Sequence, residues 1–169
     1  IGVRQGEPIV AYYDYGAGSL KVAHRSGGQW STETVDDGDG STSSATGKYA
    51  DLLVTANGTV HIAYFDEAAG ELRVASGTPG NWTTATWHTS DTGQTGAWPD
   101  ITEQGGSLYV SFQDLAAKAL MFGRWTGASL DATVVHSGEF IGADSATAWV
   151  GDSPALMYHD GVNNDAILA

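Results

Sequence analysis

Hydrophobic and polar residues alternate with a period of two in short runs along this chain, and the runs recur. The stretches "PIVAYYD" (8–14), "VHIAYFD" (60–66), "LYVSFQD" (108–114) and "PALMYHD" (154–160) align end to end. A period of two sends alternate side chains to opposite faces of a strand, so each run predicts a strand with one apolar face. Each run closes on an acid, at Asp14, Asp66, Asp114 and Asp160, with an aromatic two places earlier, at Tyr12, Tyr64, Phe112 and Tyr158. The spacings between successive acids are 52, 48 and 46 residues. Upstream of three of them, "GKYAD" (47–51), "GAWPD" (96–100) and "GADSA" (142–146) place a glycine 19, 18 and 18 residues before the closing Asp. Downstream follow "LKVAHR", "LRVASG", "ALMFGR" and "AILA", then "QWSTETV", "NWTTATW" and "RWTGASLDATVV", led by Trp30, Trp82 and Trp125.

Within the second copy the pattern predicts four short strands, "DLLVTAN", "TVHIAYFD", "GELRVAS" and "WTTATWHT", separated by turn-forming residues. Asn57-Gly58 predicts a two-residue hairpin turn with positive φ at both positions. The run "DLAAKALMF" (114–122) has helix-forming composition, but its register with "DEAAGELRV" predicts a hairpin and a strand instead. Four antiparallel strands recurring every 46 to 52 residues predict an all-β chain of β-propeller blades. One four-stranded sheet is too small to bury both faces alone, and face-to-face stacking covers them. Tyr12, Tyr64, Phe112 and Tyr158, with Val10, Ile62, Val110 and Leu156 on the same face, are the predicted layer between blades. The repeats fall at about 1–46, 47–95, 96–141 and 142–169 of a single incomplete propeller. The first repeat shows no first strand and the fourth no last one, so the expectation is fourteen strands, or three and a half blades. Such an arc leaves apolar faces open, which predicts partners: the rest of a longer chain, or identical copies that complete the ring.

Composition narrows the function. The 169 residues contain no cysteine, which excludes disulfides and thiolate sites. Seven Lys and Arg against twenty Asp and Glu give a formal charge of −13, which repels phosphate backbones and anionic lipid, so no nucleic-acid partner and no membrane insertion are expected. No apolar run approaches the roughly 20 residues that span a bilayer. Twenty-three glycines and seven tyrosines suit strands and tight turns.

The succession aromatic-x-D, G-x-L-x-x-A and G-x-W-T resembles the secreted bacterial propeller repeats distantly related to sialidase-type (BNR) blades, over nearly the whole chain. The resemblance implies a secreted or cell-surface location. In that superfamily the turn between third and fourth strands carries an Asp-box, S-x-D-x-G-x-x-W, that stabilises the hairpin. Here "SGGQW" (26–30), "SGTPGNW" (76–82) and "FGRW" (122–125) keep the glycine and tryptophan but lack the acid, so the boxes are degenerate. Sialidases hold a substrate carboxylate with three arginines. Arg4, Arg25, Arg73 and Arg124 are the arginines of this chain, and the last three fall in or just after third strands, away from any shared pocket.

Candidate ligand-binding residues follow from the repeat. Asp14, Asp66, Asp114 and Asp160 either accept hydrogen bonds from their own turns or ring one rim and bind a cation or sugar hydroxyls. The preceding positions, Tyr13, Phe65, Gln113 and His159, differ most between copies, and their rings and polar groups suit the faces and hydroxyls of sugars. Trp30, Trp82 and Trp125 are expected as packing wedges, and Trp98, which aligns with Tyr49, as blade packing. The segment "VDDGDGSTSSATG" (35–47) offers Asp37 and Asp39 as calcium ligands or forms a plain loop between blades. His88 and His136 both follow fourth strands and are expected at equivalent positions. No nucleophile elbow, phosphate loop or catalytic carboxylate pair appears. The expected function is a non-catalytic binding or scaffold module for carbohydrate or protein. The alternatives are a glycoside hydrolase or lyase with an acidic rim site and a structural piece of a large surface protein.

Overall fold

The structure, a computed structural model, describes residues 1–91 and 93–169. Fifteen strands among the described residues form four antiparallel meanders. The first joins β1 (Gly2–Arg4), β2 (Glu7–Asp14), β3 (Ser19–Ser26) and β4 (Gln29–Asp36). The second joins β5 (Thr46–Val54), β6 (Val60–Asp66), β7 (Glu71–Thr78) and β8 (Asn81–His88). The third joins β9 (Thr95–Gln104), β10 (Ser107–Asp114), β11 (Ala119–Trp125) and β12 (Leu130–Ser137). The fourth has three strands, β13 (Ile141–Val150), β14 (Ser153–Asp160) and β15 (Asp165–Leu168). Each sheet follows chain order and stacks on the next, so the chain is all-β and builds propeller blades: three complete and one three-stranded.

Three local expectations need correction. The first repeat does have a first strand: Gly2, Val3 and Arg4 pair with Ile9, Pro8 and Glu7. Three residues are too few for alternation to mark them, and the strands therefore number fifteen. In the second repeat the first strand starts at Thr46, ahead of the predicted Asp51, because "GKYA" pairs through a bulge with shifts between Thr46 and Lys48 and between Lys48 and Asp51. Around Asn57-Gly58 the loop is longer than two residues. Only Gly58 has positive φ, and Asn57 Oδ1 instead accepts from the Thr59 N–H at 2.9 Å and the Thr55 hydroxyl at 2.7 Å. The run at 114–122 is a turn followed by β11, as its register predicts.

The glycines of "GKYAD", "GAWPD" and "GADSA" are explained by the joint between blades. Gly47, Gly96 and Gly142 have φ of 108°, 99° and 94°. A Cβ on Gly47 would stand 2.7 Å from Leu20 Cα, and one on Gly96 2.5 Å from Leu72 Cα. Each blade's first strand thus starts against the backbone of the preceding blade's third strand, where only glycine fits. Backbone bonds clasp the same joint. The Thr46 N–H donates to the Gly18 carbonyl (3.0 Å) and the Thr95 N–H to Gly70 (3.1 Å). Nearby, Asp51 Oδ2 accepts the Ile101 N–H at 2.9 Å and Asp100 Oδ2 accepts the Thr147 N–H at 2.7 Å, a staple repeated from one blade to the next.

Three apolar clusters fill the three joints. Ile9, Leu20, Val22, Ile62 and Tyr64 pack between the first and second blades. Leu72, Val74, Trp87, Val110, Phe112 and Met121 pack between the second and third. Leu120, Ile141, Leu156 and Tyr158 pack between the third and fourth. The predicted aromatic row lies in these layers. Tyr64, Phe112 and Tyr158 are buried and Tyr12 is half-buried. At the other end of the arc Met157 is 54% exposed, whereas its counterparts Ala63 and Ser111 are fully covered by the next blade.

Candidate ligand-binding groove

The turns that follow β2, β6, β10 and β14 stand on one rim, beside the starts of the next blades' first strands. Asp14, Asp66, Asp114 and Asp160 each hold such a turn. Their Oδ1 atoms accept from the N–H groups of Ala17 (3.0 Å), Ala69 (3.0 Å), Ala117 (2.8 Å) and Val162 (2.9 Å). The second oxygens diverge. Asp14 pairs with Lys21 at 2.7 Å, Asp66 with Arg73 at 3.2 Å, and Asp160 accepts from the Asn163 amide at 2.7 Å. In the third blade Met121 stands where Lys21 and Arg73 stand in the first two. The hydrogen bond from Lys21 holds the Asp14 carboxyl below the usual carboxylate range, and Asn163 does the same for Asp160.

Two members of the variable row, Tyr13 and Gln113, reach the following blade, and the other two contact their own. Tyr13 lies beneath the Lys48 ammonium, 5.9 Å from its ring centre. Phe65 is buried and stacks on Tyr49 at 6.3 Å. Gln113 is buried, and its Nε2 donates to the Ile141 carbonyl at 2.6 Å, while its Oε1 has no hydrogen-bond partner among the described residues. His159 is half-buried and lies 3.4 Å from Asn164 Oδ1.

Two of these four come together. Gln113 and His159 line a groove of about 640 Å³ between the third and fourth blades, together with Trp98, Phe140, Lys118 and Glu139. Tyr13 and Phe65 lie outside it. Phe140 is 70% exposed. Lys118 and Glu139 form an ion pair across the mouth, both about half exposed. Trp98 stacks on Tyr49 with ring centres 4.3 Å apart and planes 26° from parallel, so its indole belongs both to blade packing and to the groove wall. Trp98, Lys118 and Phe140 all have left-handed backbone, with φ of 47°, 53° and 55°. The same left-handed backbone recurs at the equivalent positions of the other blades, at Tyr49 and Asp144 for Trp98 and at Gly18, Gly70 and Asn164 for Lys118, so it is set by the repeat. The residues that reasoning from sequence misses are therefore Trp98 as a groove wall, and Phe140, Lys118 and Glu139 altogether.

The remaining candidates are placed elsewhere. The Asp39 carboxylate accepts from the Ser41 N–H at 2.8 Å and from the Ser44 hydroxyl, which with Ser41 lowers its pKa. Asp37 is exposed, with its carbonyl bonded to the Gly40 N–H. Among the described residues no group of three or more His, Cys, Asp or Glu is placed to hold a metal. Trp82 bridges blades by donating from Nε1 to Glu33 at 2.9 Å, and Trp125 stacks on Trp87 at 4.5 Å with planes 1° apart. Trp30, on the outer strand of the first blade, is exposed. Arg73 is not isolated: it bridges Asp36 and Asp66 between the first two blades and lines a small cavity with Asp39. Arg4 and Arg25, separated in the sequence reading, share a cleft on the opposite rim.

Asp36, His88 and His136 occupy one register position, opposite Leu20, Leu72 and Leu120. Each meets the next blade's aromatic. The Tyr64 hydroxyl donates to Asp36, the Tyr158 hydroxyl lies 2.7 Å from His136 Nδ1, and the His88 ring lies 5.1 Å from Phe112. Burial pushes the His88 imidazole below its usual range, opposed in part by the Asp114 charge, and burial likewise lowers His61. A lowered imidazole pKa means that the unfolded chain takes up protons first as pH falls through 6.5, so stability present above that pH drains away on acidification. The His88→Gln variant is therefore expected to show a shallower fall in Tm between pH 7 and pH 5 than the parent. Parallel slopes in a calorimetric series would contradict this.

No protein-family model matches the chain, and no curated protein matches it in sequence. Among solved structures, the NanB sialidase of Streptococcus pneumoniae, captured in complex with 2-[(3-chlorobenzyl)ammonio]ethanesulfonate, superposes with a TM-score of 0.60 at 13% identity over 99% of this chain. The chain spans 28% of that protein's length. At this identity the likeness is one of fold, a β-propeller arrangement of blades.

Proposed function

We propose that this chain is a non-catalytic binding module that seats an uncharged carbohydrate in the groove between its third and fourth blades. The observation that carries this is the pairing of two aromatic walls, Trp98 and Phe140, with the amide of Gln113 and the imidazole of His159 in one cavity of about 640 Å³. Sugar rings offer apolar C–H faces and hydroxyl edges. Flat aromatic surfaces match the former and planar polar groups the latter. The volume lies within the roughly 300–1,000 Å³ of small-molecule sites. The charged pair at the mouth, Lys118 with Glu139, is mutually neutralised, which favours a ligand without net charge. The rim carboxylates support binding over turnover, because each is already engaged by its own turn.

A glycan array followed by titration calorimetry tests the proposal. Trp98→Ala is expected to weaken binding by on the order of 30-fold, as loss of a central aromatic anchor does. Because Trp98 also packs on Tyr49, the exposed Phe140→Ala serves as the companion variant, expected to keep the Tm and lose about fivefold or more in affinity. Unchanged affinity in both variants would sink the assignment. Hydrolysis of the bound glycan, lost on Asp114→Asn, would replace it with an enzyme.

A further inference from the structure

A second site stands on the opposite rim. The turn between β1 and β2, the turn between β3 and β4, and Pro79 of the second blade enclose a cleft of about 330 Å³ that holds Arg4, Arg25, His24 and Glu7. Its basic character is unusual for a chain of net charge −13. Of the seven Lys and Arg residues, Lys21, Lys48, Arg73 and Lys118 are each paired with a carboxylate within 3.2 Å. Arg4 has no ion pair among the described residues, and the carboxylate of Arg25 is Glu7 at 3.8 Å, beyond hydrogen-bond reach. Two of the three cations without a close counter-ion therefore line the same concavity.

The geometry also pre-orients one of them. Arg4 Nε donates to the Gly58 carbonyl at 2.9 Å, which fixes the guanidinium plane against the β5–β6 loop. Its NH1 reaches Gln5 Oε1 only at 3.5 Å, so the distal edge retains donor capacity. A guanidinium held by one edge presents the other as a fork matched to two oxygens of an anion. From these observations we propose that this cleft binds a small oxyanion, a sulfate, phosphate or carboxylate group of a ligand, between Arg4 and Arg25. Glu7 opposes the anion and sets a weak affinity. The site is separate from the glycan groove and stands or falls independently of it.

Sulfate excluded from protein surfaces raises Tm without binding, so thermal shifts do not test this. Sodium sulfate is instead titrated against 15N-labelled protein, with sodium chloride at equal ionic strength as control, and the amides of Gln5, Gly6, Ser26 and Gly28 are followed by NMR. Saturable shifts confined to these amides are expected. Arg25→Gln and Arg4→Gln should each weaken the binding about tenfold, the effect of one charge-assisted hydrogen bond, and Glu7→Gln should strengthen it several-fold. A parallel titration with sodium acetate separates the chemistries. Shifts with sulfate alone place a tetrahedral sulfate or phosphate group in the cleft, and shifts with both place a carboxylate there as well. Linear shifts equal to those with chloride, or equal affinities in the parent and all three variants, would overturn the proposal.

Discussion

Replacing Phe112 with Ala is expected to destabilise the fold by about 3–5 kcal/mol, the range for emptying a fully buried phenyl site. Phe112 is wholly enclosed between the second and third blades, touched by the cluster that contains Leu72, Val74, Trp87 and Met121. Both of these blades are complete, so neither can collapse far into the void. Against a total of roughly 5–15 kcal/mol for a domain, such a loss brings the chain close to unfolding at physiological temperature. The matching Tyr12→Ala should cost much less, because that ring is only half-buried. Urea denaturation decides the matter. A shift in midpoint for Phe112→Ala no larger than that for Tyr12→Ala would mean that the blades are not held together by this layer.

The second large effect is electrostatic. Arg73 NH1 lies 3.1 Å from Asp36 and 3.2 Å from Asp66, whose side chains are only 8% and 6% exposed, and Asp36 also accepts the Tyr64 hydroxyl. Burial, reinforced by the Asp36 charge, pushes the Tyr64 hydroxyl far above its usual pKa, so it stays a donor. Removing the cation as Arg73→Met leaves two buried carboxylates facing each other. A loss of about 3 kcal/mol is expected, the low end for an uncompensated buried charge, because the guanidinium itself is partly solvated. The double variant Arg73→Met with Asp36→Asn should recover part of that loss in the same urea assay. If Arg73→Met alone falls within about 0.5 kcal/mol of the parent, the network adds nothing to the joint.

How much of this is legible in the sequence differs by residue. The aromatic row at Tyr64, Phe112 and Tyr158 is legible because a strand buried on one face obeys a period of two, and packing follows that period. The cation network had a readable trace as well: Lys21 and Arg73 both stand seven residues after the closing Asp, and Met121 marks the blade where the bridge is missing. The strand β1 is not legible, since three residues carry no periodicity. The groove is not legible for a different reason. Its walls come from the start of β9, the turn after β10, the segment before β13 and the end of β14, and no spacing in the chain links Trp98 to Phe140. Their exposure depends on left-handed backbone, which tertiary contacts impose on residues that do not favour it.

The joints between blades are clasped by backbone as well as packed by side chains. The carbonyls of Gly18 and Gly70 each receive an N–H from the first residue of the next blade's first strand, Thr46 and Thr95. A blade is thus an interchangeable module. Gene duplication can lengthen such an arc because the apolar layer, the backbone clasp and the glycine that admits the neighbouring leucine all travel with each copy. The joint also tolerates variation at one rim position, two residues after that glycine, where Tyr49, Trp98 and Asp144 share a left-handed backbone and differ in chemistry.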